Sequence, residues 1–476
     1  MNLVVLTPQV VLIVFAFLIL LWGLLFPRVK REVLALVGLI GIVVAVVLSA
    51  RLWGLNLDGF WAMLTADTYG LAFGFIFLVG AGITFLLSIN KVEGEYVPYT
   101  EYFFLILVAC SGMMFMASGT HLITIFLGLE ILSISLYILA GIRRDEPFSL
   151  EAAFKYFLLG AFASAFLLYG IALVYGITGY ADLHQIAGAI AAQGLSNPLL
   201  TVGLVLIVIG FGFKVALVPF HMWAPDVDQG SPTPIAAFKA VGSKAAGFAA
   251  LLRVLMIALK SQVGDWSGLL WILAVLTMFV GNIIALSQSN IKRMLAYSSI
   301  AHAGYLLIGI VANNDMGGAG VLFYLTAYTF MNLGAFGVVI ALGKFGEENL
   351  EIADYQGLGF RKPLTALAMT VFMFSLAGIP PAAGFMAKFY IFSAAVKAGQ
   401  IPLVIIGVVN SMISVYYYLR IVVFMYMKEP EREIELPGTI PTVAVALLIT
   451  ALATLYIGIF PSNLLQLFQT AVQAVM

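Results

Sequence analysis

The sequence predicts an all-α polytopic membrane protein of about 14 transmembrane helices, built around two inverted five-helix repeats that each contain a discontinuous helix. Three observations carry that expectation. Of 476 residues, 63% are hydrophobic and only 10% charged, whereas about a quarter of a soluble domain is charged. Apolar stretches of the roughly 20 residues needed to cross a hydrocarbon core recur from Leu3 almost to the C-terminus. Two of those stretches are broken by proline close to a lysine.

In chain order, the spans fall near residues 3 to 26, 33 to 51, 69 to 90, 99 to 118, 120 to 141, 152 to 176, 198 to 222, 233 to 260, 267 to 287, 292 to 312, 318 to 343, 363 to 395, 401 to 427 and 438 to 460. The first is too long for a signal-peptide core and has no basic flank before it, so it reads as a retained helix. An even number of spans puts both termini on one side, and alternate loops then separate by charge. Arg28, Lys30, Arg31, Lys91, Arg143, Arg144, Lys292, Arg293, Lys344, Arg361, Lys362, Lys428 and Arg432 lie on one side, against Arg51, Lys260 and Lys397 on the other. The basic side reads as cytoplasmic and both termini as external, periplasmic in a bacterial inner (plasma) membrane. A missed helix would swap the later loops and blur this bias.

The breaks suggest the repeat. GFGFKVALVPFHMWA places Lys214 five residues before Pro219, and AGIPPAAGFMAK places Pro380 and Pro381 shortly before Lys388. Proline removes a backbone donor and frees carbonyls that lipid cannot satisfy, so a broken helix at membrane depth lies in protein or beside a hydrated cavity. Lys214 and Lys388 each fall in the fourth helix of a five-helix unit, and an odd helix count inverts the second unit. The expected organisation is residues 1–98 as three N-terminal helices, 99–260 as the first repeat, 261–430 as the second, and 431–476 as helix 14 with a tail.

The remaining seven basic residues, Lys155, Lys214, Lys239, Lys244, Arg253, Lys388 and Arg420, fall inside spans, with Glu130 the one acid deep within any. A charge at a helix centre costs about 2.5 to 3.5 kcal/mol even on the lenient insertion scale, so these residues need partners, water or a function. Glu130, at mid-helix in HLITIFLGLEILSISLYIL, and Lys214 read as a coupled pair in which neutralising one releases a proton from the other; a static ion pair closing a helix break is the alternative. Lys239, Lys244 and Arg253 share FKAVGSKAAGFAALLR but cannot share one face at 3.6 residues per turn. Lys239 and Arg253 are expected to snorkel, while Lys244, between Gly242 and Gly247, is the deep one. Lys388 has no obvious acid to neutralise it and reads as an outward-facing proton donor or acceptor, or as a snorkelling or helix-capping lysine beside the proline pair. His302 in SIAHAGY and His221 after Pro219 titrate near neutrality and can bridge lysines through water, although a lone histidine is more often a hydrogen-bonded core residue. Lys155, near the start of its span, is a relay member or a snorkelling residue. Tyr416, Tyr417, Tyr418 and Arg420 read as packing and interface anchors.

The single Cys110 reads as packing, and no phosphate-binding glycine motif, Cys/His metal cluster or Ser-His-Asp set stands above background. No cofactor is expected in this chain, so NADH, flavin (FMN), iron-sulfur or quinone chemistry would reside on partner subunits. Segments 121 to 139, 211 to 253, 377 to 392 and NSMISVYYYLR from 410 to 420 together resemble the antiporter-type subunits of respiratory complex I, the N type most closely, over roughly residues 1 to 460. The resemblance implies a proton-translocating membrane subunit of an NADH-quinone oxidoreductase, with Glu130 and Lys214 as coupling pair, Lys244 as central relay, Lys388 as exit lysine and Lys155 as a further matching position. It implies partners in the M-type antiporter-like subunit and small K- and J-type subunits, an indirect link to the peripheral redox arm, and no nucleic acid. Lysine at 388, where the M type is expected to carry an acid, and the absence of a long lateral helix after helix 14 favour the N type. Two rival readings share the charged residues: an Mrp-type cation/proton antiporter subunit, and a membrane scaffold whose buried charges only lock helices together.

Overall fold

The computed structural model describes residues 2–89, 97–193, 197–343, 349–430, 436–438 and 440–475. Lys91, Lys344 and Arg432, three of the loop cations counted above, lie outside the described residues, as do Asn90 and Thr439 at the edges of two predicted spans.

Helices run in the predicted order. The first six crossings are α1 (Thr7–Leu25), α2 (Arg31–Leu52), α3 (Thr68–Ser88), α4 (Tyr99–Ser118), α5 (Leu122–Ala140) and α6 (Pro147–Thr178), with a hairpin of β1 (Leu57–Gly59) and β2 (Leu64–Ala66) between α2 and α3. A short helix, α7 (Leu183–Gln193), lies outside any predicted span; Leu183, Ile186 and Ile190 form its buried stripe at helical spacing. The seventh crossing is α8 (Pro198–Lys214), a break, and α9 (Trp223–Gly230). The eighth is one continuous rod: α10 (Thr233–Phe238), a π-turn over Lys239–Ser243, α11 (Lys244–Arg253) and a second π-turn over Val254–Ala258. Then come α12 (Val263–Leu286), α13 (Ile291–Val311) and α14 (Asp315–Leu342), and the one-turn α15 (Leu358–Arg361). The twelfth crossing is again split, into α16 (Pro363–Ala377) and α17 (Ala383–Lys397), followed by α18 (Ile401–Met427), α19 (Pro441–Ile459) and the short α20 (Pro461–Val472).

Among the described residues, 12 helices are long and apolar enough to cross a membrane, and the two split crossings bring the bundle to the predicted fourteen. The predicted seventh span stopped at 222, but its second half continues through WAPDVDQG to Gly230, a segment polar enough to read as loop. Both breaks contain a cis X-Pro bond, at Val218–Pro219 and Pro380–Pro381.

Side-chain chemistry sets the helix ends. Asp67, Asn197, Asn290 and Asn314 each accept a hydrogen bond from the first turn of the helix they precede. Proline occupies the first turn of α6, α8, α16, α19 and α20, where its missing N–H leaves nothing unpaired. Gly378, at φ +85°, ends α16 in the left-handed region that a side chain resists.

The centre is formed by the eighth crossing with α13 and α14. Every residue in the most apolar stretch of Thr233–Ala258 is buried, against a third in α1, α6, α18 and α19, whose Phe17, Phe162, Met412 and Leu452 point outward. Helices approach closely where glycine permits: a Cβ on Gly128 of α5 would lie 2.9 Å from backbone atoms of Gly112 and Met116 on α4.

Candidate functional site

Lysine enters the interior at both split crossings and twice on the rod between them. Lys214 is the last residue of α8 and 4% exposed, at the end of a helix where carbonyls favour a cation. Its Nζ donates to Ser133 Oγ at 2.8 Å and lies 6.0 Å from the centroid of the Tyr156 ring. Gly247 of α11 lets the rod ride against the break, since a Cβ there would stand 3.5 Å from Lys214 Cγ and nearer still to Val215. Glu130 lies three residues before Ser133 on α5, half-buried, and its Oε1 accepts from Ser164 Oγ of α6 at 2.5 Å. Among the described residues, the direct pairing expected between Glu130 and Lys214 is not formed. Each group is satisfied by a serine instead, and Ser133 places Lys214 one turn from the carboxylate on the same helix face.

Lys239 corrects the snorkelling expectation. It is 4% exposed, forms an ion pair with Asp228 at 2.7 Å, and stands 4.5 Å above the Trp223 ring and 5.5 Å from Tyr156. Two features hidden in the sequence cause this. The buried Asp228 sits in the α9 segment that reads as loop, and the π-turn over Lys239–Ser243 replaces the 3.6-residue turn on which the facing argument rested, so that residues five apart come closer to alignment. Arg253 is likewise not at an interface: at 1% exposure it donates in a fork to both oxygens of Asp67, at 2.7 and 2.9 Å, above the Tyr69 ring. Glu130 is therefore not the one acid inside the bundle; Asp228 and Asp67 are buried more completely.

Lys244, 4% exposed, donates to Ser299 of α13 through both its carbonyl and its Oγ, with the Tyr328 ring 5.8 Å away. The adjacent Ser298 bonds the Tyr418 hydroxyl, which meets His302 Nε2 at 3.0 Å, while His302 Nδ1 meets the Tyr324 hydroxyl at 2.6 Å. Tyr418 is thus a polar junction rather than the packing residue expected, and Tyr417 donates to Asn282 Oδ1 at 2.9 Å; Tyr416 is exposed, as an anchor is. Lys388 is 5% exposed on α17, where its Nζ donates to the terminal carbonyls Leu376 and Ala377 of α16 at 3.2 and 3.0 Å and to Ser411 Oγ at 2.9 Å, over the Tyr305 ring at 5.0 Å. It caps one half of the split crossing from the other. A laterally open cavity of about 640 Å³ reaches it between α17 and α18.

Lys155 stands apart from the buried lysines. It is 37% exposed and paired with Asp226 at 2.5 Å and Glu151 at 2.6 Å, and Asp226 also binds Arg293 at 2.7 Å. His221 is buried in the α8–α9 break, outside this hydrogen-bonded series. Arg420 donates to the Gln288 carbonyl at 3.1 Å.

Chemically, Lys214, Lys244 and Lys388 are buried amines with no carboxylate within ion-pair distance among the described residues, each bonded to a serine and each over an aromatic ring. Serine and tyrosine hydroxyls and imidazole both donate and accept, so each of these contacts can take a proton from one side and, once the group has turned, give one to the other. Tyr324, Asp228 and Asp67 escaped the sequence reading, in which Tyr418 figures only as packing. Only Asp228 had a local signal, its place three residues after Pro225 beside the first break.

Residues 119–414 match the family described as NADH:quinone oxidoreductase/Mrp antiporter, TM. NADH-quinone oxidoreductase subunit N of Trichlorobacter lovleyi is 52% identical over 475 residues, covering 100% of this chain and 98% of that one. Among solved structures, a chain of respiratory complex I from Thermus thermophilus with bound aureothin superposes with a TM-score of 0.82 at 35% identity, covering 96% of this chain and 98% of its own. A chain of the Mrp complex from Dietzia sp. superposes equally well, with a TM-score of 0.83 covering 100% and 98%, but at 21% identity it shares the fold alone. On these similarities the chain belongs to the NADH:quinone oxidoreductase/Mrp antiporter family, on its NADH-quinone oxidoreductase subunit N branch.

Proposed function

We propose that this multi-pass membrane chain translocates protons as the N subunit of an NADH-quinone oxidoreductase, driven by NADH-to-quinone electron transfer on other subunits. The observation that supports it most is the set of three buried lysines, Lys214, Lys244 and Lys388, held by hydroxyls and carbonyls rather than neutralised by carboxylates. Buried ion pairs that only lock helices would look like Lys239–Asp228 and Arg253–Asp67, and these three do not. In this reading Glu130 and Lys214 sense the coupling event. Lys244 relays through Ser299 and the Tyr418–His302 contact toward Lys388, which releases the proton on the outer side, and Lys155 marks the inner rim. Moving one charge against 100 mV requires about 2.3 kcal/mol, within reach of a modest electrostatic change at one buried amine.

The reading extends to residues 99–260 and 261–430 as inverted repeats, each owning one split crossing. It places the chain in a bacterial inner membrane with both termini outside, between an M-type antiporter-like subunit and small K- and J-type subunits, with FMN, iron-sulfur and quinone chemistry on partners. Lys214→Ala and Glu130→Ala are each expected to depress NADH-driven proton pumping in assembled complex, measured in vesicles; intact pumping by either contradicts the mechanism. Hydrophilic flavin and iron-sulfur subunits should co-purify in mild detergent, which an Mrp-type assembly would lack.

A further inference from the structure

Asn332 of α14 is completely buried, and neither its Oδ1 nor its Nδ2 has a hydrogen-bond partner. A primary amide offers two donors and two acceptor sites, and leaving even one buried donor or acceptor unmade is costly enough that native interiors avoid it. Buried groups of this kind are the ones that ordered water satisfies.

Its place in the bundle gives that water a use. Tyr324, Tyr328 and Asn332 follow one another at four-residue spacing and so line one face of α14. Tyr324 bonds His302, and the Tyr328 ring faces the Lys244 ammonium. Asn332 is the next position, about 6 Å along the axis at 1.5 Å per residue. α13 and α14 are consecutive, antiparallel and joined by three residues, so moving from Tyr328 toward Asn332 moves from the level of Ser299 toward the start of α13. There the fully buried Lys292 donates to the Ser231 carbonyl at 2.7 Å. Beside it the half-exposed Arg293, Asp226 and Lys155 form the rim of the bundle. Asn332 thus occupies the stretch between a charged rim and the central lysine.

We infer that Asn332 holds the water through which a proton from the Lys292 end of the bundle reaches Lys244. When Lys244 has passed its proton toward His302 and its amine is neutral, a water donates into the nitrogen lone pair. One N–H bond forms, one O–H bond breaks, and the proton deficit moves back through the water on Asn332 to the rim. The amide itself neither gains nor loses a proton. The inference rests on the relay role of Lys244 proposed above.

Asn332→Leu keeps the volume and removes the polarity. It is expected to lower the initial rate of NADH-driven pumping roughly tenfold, the scale of one lost hydrogen-bonded step, while the yield and melting temperature of the assembled complex stay level or rise. Those readouts move in opposite directions, which a purely structural residue would not do. Asn332→Ser, which retains a water-binding hydroxyl, is expected to pump near the unaltered rate. The inference is overturned if the leucine variant pumps normally, if serine loses as much as leucine, or if the leucine variant fails to assemble, since the amide would then hold the bundle together rather than hold water. Lys244→Met run in parallel separates the two ideas. Normal pumping there removes the relay and this inference together, whereas loss there with normal Asn332→Leu removes this inference alone.

Discussion

Asp228 and Lys239 are both buried, and each makes the other tolerable. Replacing Asp228 by asparagine leaves an ammonium inside the bundle with only two rings to face, and loss of one member of such a pair costs about 3–5 kcal/mol. Asp228→Asn is expected to lower the melting temperature of the purified complex clearly, and Asp228→Asn combined with Lys239→Met to recover most of the loss; equal melting of single and double variants would count against the pair. At this scale the sequence exposed the cations better than their partners. Lys214, Lys244 and Lys388 stand out because a charge inside an apolar run demands an explanation. Tyr324, Tyr418 and Asp67 lie in stretches where their residue types are ordinary, and they become partners only when α13, α14, α18 and α3 are brought together. Lys155, counted as inside its span, is in fact near the first turns of a helix that begins at Pro147, close enough to the rim to find Asp226.

The element scale turns on the two π-turns of the eighth crossing. Each inserts a wide turn into a rod that otherwise has α-helical spacing, and the first aligns Lys239 with Asp228 on α9. Deleting Val241 would return this turn to ordinary helix and leave Lys239 four residues before Lys244, on nearly the same face as before, because four steps at 3.6 residues per turn and five steps of the wider turn sweep about the same angle. Such a variant is expected to keep Lys239 near Asp228 and Lys244 near Ser299 and to give assembled complex in close to normal yield; failure to assemble would argue that the wide turn itself is required. A π-turn leaves no compositional mark, which is why KAVGS reads as plain helix. The split crossings were legible because proline announces them, but the full length of α9 was not, since WAPDVDQG balances apolar and polar residues and only its surroundings decide its burial.

For the whole molecule, apolar length and alternating loop charge carried the fourteen crossings from sequence to structure with small boundary shifts, the second half of the seventh excepted. What they missed were the non-crossing parts, α7, α15 and the β1–β2 hairpin, which are too short or too amphipathic for a hydropathy signal. The charge bias also gives a test of orientation. Among the described residues, ten of the cations counted on the more basic side lie in or within the first or last turn beside the α1–α2, α5–α6, α12–α13 and α15–α16 connections and after α18, and the opposite side has Arg51, Lys260 and Lys397. A reporter enzyme active only outside the cytoplasm, fused after residue 476, is expected to be active, and one fused after Arg144 inactive; the reverse pattern would invert the proposed direction of transport.

The rings beneath Lys214, Lys244 and Lys388 set a limit on leakage. An aromatic face attracts an ammonium group through its quadrupole yet has no lone pair strong enough to accept a proton from it. Had a carboxylate stood in each of those places, cargo could have been handed sideways to the counter-charge and stranded there as a neutral pair. With π clouds as the neighbours, none of these rings offers a hydrogen ion on the amine a resting place, and the hydroxyls beside them are left as the acceptors.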